Sequence, residues 1–239
     1  MTISVCMATY NGEKFIYEQL CSILSQLYEN DELIISDNGS SDSTVDIIKS
    51  FNDKRIKLIN CEVKSIVYNF ENSLNYATGD IIFLSDQDDI WLYGKLEEIK
   101  KEISDCDLVV TDCKVVDENL NVLDESFFKL NKSGYGVIKN LYKNSFIGCC
   151  MAFDRKILNY ALPFPSDIPM HDWWIGLIYS LFGKVKFVDK QLLLYRRHKN
   201  NASNTAFKSK NPFYKKINFR LIMLINLIYR YIKFISNNA

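Results

Sequence analysis

Apolar residues along this chain come in short runs separated by amphipathic stretches and polar turns. Residues 3–8, 33–36, 56–60 and 81–84 each read as a short strand, the last of them wholly apolar with an acid on either side. Such runs suit strands of a parallel sheet whose two faces are both covered. Between them, Phe15, Ile16, Leu20, Ile23 and Leu24 recur at helical spacing within residues 13–26, and helices are expected over 44–51 and 68–77. Ser41 or Asp42 can cap the second of these. This alternation predicts an α/β fold with a doubly wound, mostly parallel sheet flanked by helices. Farther on, strands are expected at 108–111 and 185–188, and helices at 91–104 and 173–182. Residues 127–145 mix Lys, Asn, Gly and aromatics without a period and read as a mobile loop.

Residues 211–239 form an amphipathic helical tail. At about 100° per residue, Lys216, Arg220, Asn226, Arg230 and Lys233 fall on one side. Ile217, Leu221, Leu224, Ile225, Ile228, Ile232 and Ile235 lie opposite, while Phe219, Met223, Leu227 and Phe234 interrupt the polar side. The cations make a spanning helix the poorer reading. A basic amphipathic helix on an anionic membrane surface fits, and docking on the body or on another subunit competes with it.

Charge sharpens that division. The formal net charge is zero, and nothing global points to nucleic acid. Eleven of the 29 Lys and Arg residues lie from Lys190 onward, where there is no Asp or Glu, so the first 189 residues carry all 29 acids against the remaining 18 cations. The seven cysteines show no zinc spacing and several sit inside apolar runs, as buried free thiols do in a reducing cytoplasm. No secretory signal is expected at the start.

The candidate chemistry lies where strands end. Asp86, Asp88 and Asp89 follow the apolar run at 81–84, and ligands in open α/β sheets collect beyond the carboxyl ends of strands. Crowded carboxylates repel unless a cation neutralises them, and Mg²⁺ or Mn²⁺ prefers such oxygen donors. The competing reading is an acidic loop that caps the next helix. Thr9-Tyr10-Asn11-Gly12 and the loop opened by Asp37 suit a nucleotide or ordinary turns equally. A dinucleotide glycine fingerprint and a P-loop lysine are both missing, which disfavours a dehydrogenase or an NTPase. Asp172 opens the helix after Met170-His171, where an acid can be a simple N-cap.

Four stretches together resemble the family 2 glycosyltransferases of GT-A fold, in their rhamnosyltransferase-like subgroup. They are Ala8-Thr9-Tyr10-Asn11-Gly12, residues 36–42, Asn69-Phe70-Glu71 with Ala77-Thr78-Gly79-Asp80, and Leu84-Ser85-Asp86-Gln87-Asp88-Asp89-Ile90-Trp91. The resemblance implies a UDP- or dTDP-sugar donor, with Tyr10 and Asp37 at the base, Thr9 and Asn11 also binding the nucleotide-sugar, Asp86 near the ribose and Asp88 on the metal. It implies Asp172 as the base of an inverting transfer, with His171, Trp173 and Trp174 about the acceptor. Tyr195-Arg196-Arg197-His198-Lys199-Asn200-Asn201 resembles the family's late motif. There His198 would be a metal ligand and Arg196 or Arg197 a partner of the departing phosphate. The family often has a basic residue just before the third helix; here Tyr68 stands there, and Lys64 is the nearest lysine. Gly148 would let backbone approach the sugar, or belong to a bulged core strand.

The implied organisation is a nucleotide-sugar-binding half at 1–100, an acceptor-binding and catalytic half at 101–205, and the basic tail at 206–239. The implied role is bacterial surface polysaccharide synthesis on a glycan or lipid-linked glycan acceptor, peripheral on the inner face of the cytoplasmic membrane. A nucleotidyltransferase would want a Gly-rich, basic first loop. A non-catalytic sugar-nucleotide-binding or membrane scaffold would have little reason to keep Asp37, Asp86, Asp88 and Asp172 together.

Overall fold

The computed structural model describes residues 1–199, 201 and 212–238. Asn200, Ala202 and Ser203, and the expected division at 205/206, lie outside them. The order is β1 (Ile3–Thr9), α1 (Ile16–Leu24), β2 (Glu32–Asp37), α2 (Thr44–Ser50), β3 (Ile56–Asn60), α3 (Ile66–Tyr76), β4 (Ile81–Ser85) and β5 (Ile90–Trp91). There follow α4 (Lys95–Glu102), β6 (Leu108–Val116), β7 (Val122–Asp124), α5 (Phe127–Asn131), α6 (Val137–Tyr142), β8 (Met151–Asp154), α7 (Leu158–Ala161), α8 (His171–Phe182), β9 (Val185–Arg196) and α9 (Phe213–Asn238).

One sheet runs β3-β2-β1-β4-β8-β6-β9-β5, with β7 added to β6. The pairs from β3 to β4 are parallel, and so is the long pairing of β6 with β9. β8 is antiparallel to both of its neighbours. β2 and β4 are buried along their whole length, which is why their sequences are apolar runs and do not alternate. α1 buries Ile16, Leu20, Ile23 and Leu24, one face at helical spacing.

Three expectations are corrected. Trp91 does not begin a helix: Ile90 and Trp91 pair with Leu194 and Leu193 of β9, and the helix starts after Gly94, whose φ of 84° suits glycine. The strand expected at 185–188 continues to Arg196, because register shifts in β6 around Asp112 let the pairing resume beyond the polar Asp189-Lys190. Residues 127–145 are not an open loop but hold α5 and α6. The buried Asn140 side chain organises them, donating to the carbonyls of Gly134 and Gly136 at 2.9 and 3.0 Å and accepting from the Ser145 N–H at 2.8 Å. A segment built on internal amide bonds carries no hydrophobic period to read.

The tail is helical, and its orientation is the reverse of what its amphipathicity suggests. Met223 and Leu227, 0% and 4% exposed, are buried against the body, and Phe234 packs on Tyr160 and Phe182. Arg220 donates to the Tyr142 carbonyl and Arg230 to those of Leu162 and Pro163. The docked side is therefore the part of the polar face that carries Arg220 and Arg230 with Met223, Leu227 and Phe234, while Lys233 at its edge stays exposed. Among the described residues, no helix is long and apolar enough to cross a membrane.

Candidate active site

Beyond the carboxyl ends of β1 and β4 lies a cleft whose enclosed part measures about 120 Å³. Thr9 and Asp37 end adjacent strands in register. Thr9 Oγ1 donates to Asp37 Oδ1 at 2.8 Å, and Asp37 Oδ2 accepts from the N–H groups of Gly39 and Ser40 at 3.0 and 2.8 Å. Asn11 accepts from the Ser41 N–H at 2.8 Å, while its own N–H donates to Ser40 Oγ at 2.9 Å. These bonds join the first two loops into one platform on which Tyr10 is 49% exposed. The N-cap of α2 is Ser43, not Ser41 or Asp42, although Asp42 accepts from the Thr44 N–H at 3.0 Å.

The acidic loop is pinned from both sides. Gln19 of α1 donates to Ser85 Oγ and to the Asp86 carbonyl at 2.8 and 3.0 Å. Gln87 exchanges two bonds with the backbone of Tyr10, accepting from its N–H at 2.9 Å and donating to its carbonyl at 3.1 Å. A Cβ on Gly12 would come within 2.4 Å of Gln87 Oε1, so this clamp needs glycine there. The pairing of β5 with β9 turns the loop toward the end of β9. There Asp88 Oδ2 lies 2.6 Å from His198 Nε2 and accepts from Asn201 Nδ2 at 3.2 Å.

Asp86 lines the cavity, and its carboxyl is pushed up to about 8 by burial first and then by the charges of Asp88 and Asp172. Asp89 is buried behind it and accepts the Arg196 N–H at 2.9 Å; burial and its acidic neighbours raise it well above the usual range. Beneath the loop, the fully buried Lys95 donates to the Cys149 carbonyl at 2.6 Å and lies 4.7 Å over the Trp91 ring. Burial lowers its pKa while the Asp89 charge opposes that shift.

Across the cavity, Asp172 sits in the first turn of α8, whose N-cap is Met170 and not the acid itself. Asp172 Oδ2 accepts from the Gly148 N–H at 3.2 Å and Oδ1 from the Trp173 N–H at 2.6 Å. Burial pushes this carboxyl up to about 6, with those backbone bonds opposing the shift. Its environment thus tunes it. His171 also lines the cavity, stacked on Phe70 at 3.8 Å; burial pushes it down to about 3, so the imidazole is neutral. Gly148 precedes β8 in a short 3-10 turn, and a Cβ there would meet His171 Nε2 at 3.1 Å. Gly148 lines the cavity and also packs closely against the start of α8.

The structure brings Thr9, Tyr10, Asp86, Asp88, His171 and Asp172 to the lining of one cavity, joined by Asn201. His198 reaches that cavity through Asp88. Trp174 does not reach it: it is fully buried in the core with Nε1 donating to the Ala161 carbonyl at 2.9 Å. Trp173 Nε1 is engaged by the Asn140 carbonyl at 2.8 Å. The Arg196 guanidinium is buried, 2.6 Å from Glu18 and 4.6 Å over the Phe15 ring, which takes it away from the cleft. Arg197 Nη1 donates to the Tyr195 hydroxyl at 3.2 Å, and Lys64 is exposed on the loop before α3. Gln19, Gln87 and Lys95 were not singled out from the sequence. Gln87 stands between two acids and Asn201 ends the late motif, but nothing in the local pattern marks Lys95 as buried.

Asp88 and His198 converge, and the carboxylate is the oxygen donor that Mn²⁺ or Mg²⁺ prefers. Asp86, Asp89 and Cys149 also bring ligand atoms within 4.8 Å of one another. Burial raises the Cys149 thiol well above its usual range, so it stays protonated and is a poor ligand for a hard cation.

The sequence profile described as Glycosyl transferase family 2 matches residues 4–161. The chain is 31% identical over 211 residues to the UDP-Glc:alpha-D-GlcNAc-diphosphoundecaprenol beta-1,3-glucosyltransferase WfgD of Escherichia coli, covering 86% of this chain and 81% of that protein. It is 30% identical over 232 residues to the dTDP-rhamnosyl transferase RfbG of Shigella flexneri, covering 88% and 78%. Among solved structures, S. aureus TarS in complex with UDP-GlcNAc superposes with a TM-score of 0.72 at 22% identity, covering 95% of this chain and 67% of that one. The mannosyltransferase PcManGT from Pyrobaculum calidifontis, in complex with GDP-Man and Mn²⁺, gives 0.62 at 19% identity, covering 83% and 58%. These two likenesses show the GT-A fold, and the chain spans about two thirds or less of the solved chains it matches.

Proposed function

The chain belongs to glycosyl transferase family 2, and on that premise we propose that it moves a sugar from a UDP- or dTDP-sugar to an acceptor hydroxyl, with inversion at the anomeric carbon. The observation that carries this reading is the placement of Asp172 and the acidic loop on one small cavity. The acceptor O–H gives its proton to the Asp172 carboxylate as its oxygen bonds to the anomeric carbon. The bond from that carbon to the diphosphate breaks, and the nucleoside diphosphate leaves with the electron pair. A carboxylate raised to about 6 is still ionised at neutral pH and is a stronger base than a free one.

Asp88 and His198 would hold the divalent ion, Mn²⁺ or Mg²⁺, which when bound supplies positive charge to the leaving diphosphate. The cavity is smaller than the roughly 300–1,000 Å³ of drug-sized pockets. It therefore suits the reacting sugar, with the nucleoside along the open platform at Tyr10. WfgD, a UDP-Glc-dependent glucosyltransferase acting on GlcNAc-diphosphoundecaprenol, and RfbG, a dTDP-rhamnosyl transferase, support a UDP- or dTDP-sugar donor, and WfgD a lipid-carried acceptor. The reading is thus bacterial surface polysaccharide synthesis at the cytoplasmic membrane face.

Thermal denaturation with a panel of sugar nucleotides, each with and without Mn²⁺, tests it, since a ligand of the native state raises Tm by mass action. A rise with UDP- or dTDP-compounds that depends on Mn²⁺ is expected and would identify the donor. A folded protein that no nucleotide stabilises would overturn it.

A further inference from the structure

We propose that the outward face of α9 is a docking surface for an anionic lipid bilayer. The observation is the inversion described above. With Met223, Leu227, Arg220 and Arg230 committed to the body, Ile217, Leu221, Leu224, Ile225, Ile228, Ile232 and Ile235 are left 41–64% exposed. At 1.5 Å per residue these side chains form one stripe about 27 Å long. An unbroken stripe of large aliphatic side chains is not what an ordinary soluble surface leaves in water.

The helix also says what covers it. Phe213–Asn238 contains Lys215, Lys216, Arg220, Arg230 and Lys233 and no Asp or Glu. On the helical wheel Lys215 and Lys233 fall on the side of the stripe away from the body, where they can meet headgroups while the aliphatic side chains enter the acyl boundary. The neighbouring α6 extends the surface with Ile138, 86% exposed, and with Lys139 and Lys143, and the Tyr142 carbonyl receives Arg220. A second copy of the chain is the poorer occupant. A two-fold contact would set the outward Lys215 and Lys233, with no acid on the helix, against their own images, whereas anionic lipid accepts that charge.

This surface rests on α9 and α6 alone and goes beyond the transferase reading, which needs a membrane only as the place where a lipid-carried acceptor resides. Vesicle binding and sugar transfer are therefore scored separately. The full chain is floated with phosphatidylcholine vesicles lacking or containing phosphatidylglycerol. We expect flotation mainly with phosphatidylglycerol, weakening as salt is raised. Ile225→Ser, Ile228→Ser and Ile232→Ser together should lower the bound fraction by about tenfold, because the stripe carries the insertion. Lys215→Gln with Lys233→Gln should erase the preference for phosphatidylglycerol.

All five positions are exposed, so Tm should stay within a few degrees of the parent, and the nucleotide-induced Tm rise should be unchanged. Failure to float with either vesicle overturns the proposal. So does flotation that survives the triple serine variant. A doubled molar mass in light scattering, abolished by the serine variant and accompanied by no vesicle binding, would assign the face to a second copy. Loss of the nucleotide-induced Tm rise in the parent would instead count against the transferase reading.

Discussion

Asp172 draws its chemistry from where α8 begins. An unperturbed aspartate titrates near 3.9, whereas burial beside Gly148 lifts this one to about 6. A base works unprotonated, so a raised pKa moves the loss of activity to higher pH. The expected kcat/KM profile is flat above about pH 6 and falls about tenfold per pH unit below it. Asp172→Asn should lower kcat by about 10²–10⁴-fold while leaving the sugar-nucleotide Tm shift intact. Asp88→Asn should abolish both the activity and the Mn²⁺-dependent part of that shift. Activity that survives Asp172→Asn would remove this residue from the reaction.

Among the elements, the segment carrying α5 and α6 is held by side-chain amides more than by apolar burial. Asn140→Ala would leave the Ser145 N–H and the two glycine carbonyls short of a partner in a buried setting. A loss of about 1–3 kcal/mol is expected. For a chain of this size that is a Tm lower by several degrees, measured by thermal denaturation. The clamp between the first loop and the acidic loop behaves differently, because the Gln87 amide exchanges its hydrogen bonds with the exposed Tyr10 backbone. Gln87→Ala should raise the donor KM several-fold with a smaller change in kcat, and steady-state kinetics separates the two. Both elements were illegible in advance for one reason: polar side chains that serve the backbone leave no periodic trace.

For the molecule as a whole, the expected buried thiols are found. Cys21 is exposed and the other six cysteines are buried, with burial raising the thiols of Cys106 and Cys149. A thiol reagent is expected to label one cysteine quickly in the native protein and all seven after denaturation. Rapid labelling of several in the native state would mean that the core is more open than described.

The strands and helices of the first 85 residues were legible within a few residues, because an apolar run or a helical stripe is a local property. The placing of Asp86 and Asp88 at a strand end followed from the same pattern. That Asp88 meets His198, 110 positions away, depends on the β5–β9 pairing, which brings two chain ends together that no local period connects. Trp174 and Arg196 show the other side of this. Residue type suggested a sugar platform and a phosphate clamp, yet packing set one in the core and the other against Glu18. The tail states the division most plainly. A helical wheel measures the contrast between two faces, and the chain alone determined that contrast. Which face meets the body depended on the shape and free carbonyls of α6 and of the turn at Leu162 and Pro163, and those exist only once the rest of the chain has folded.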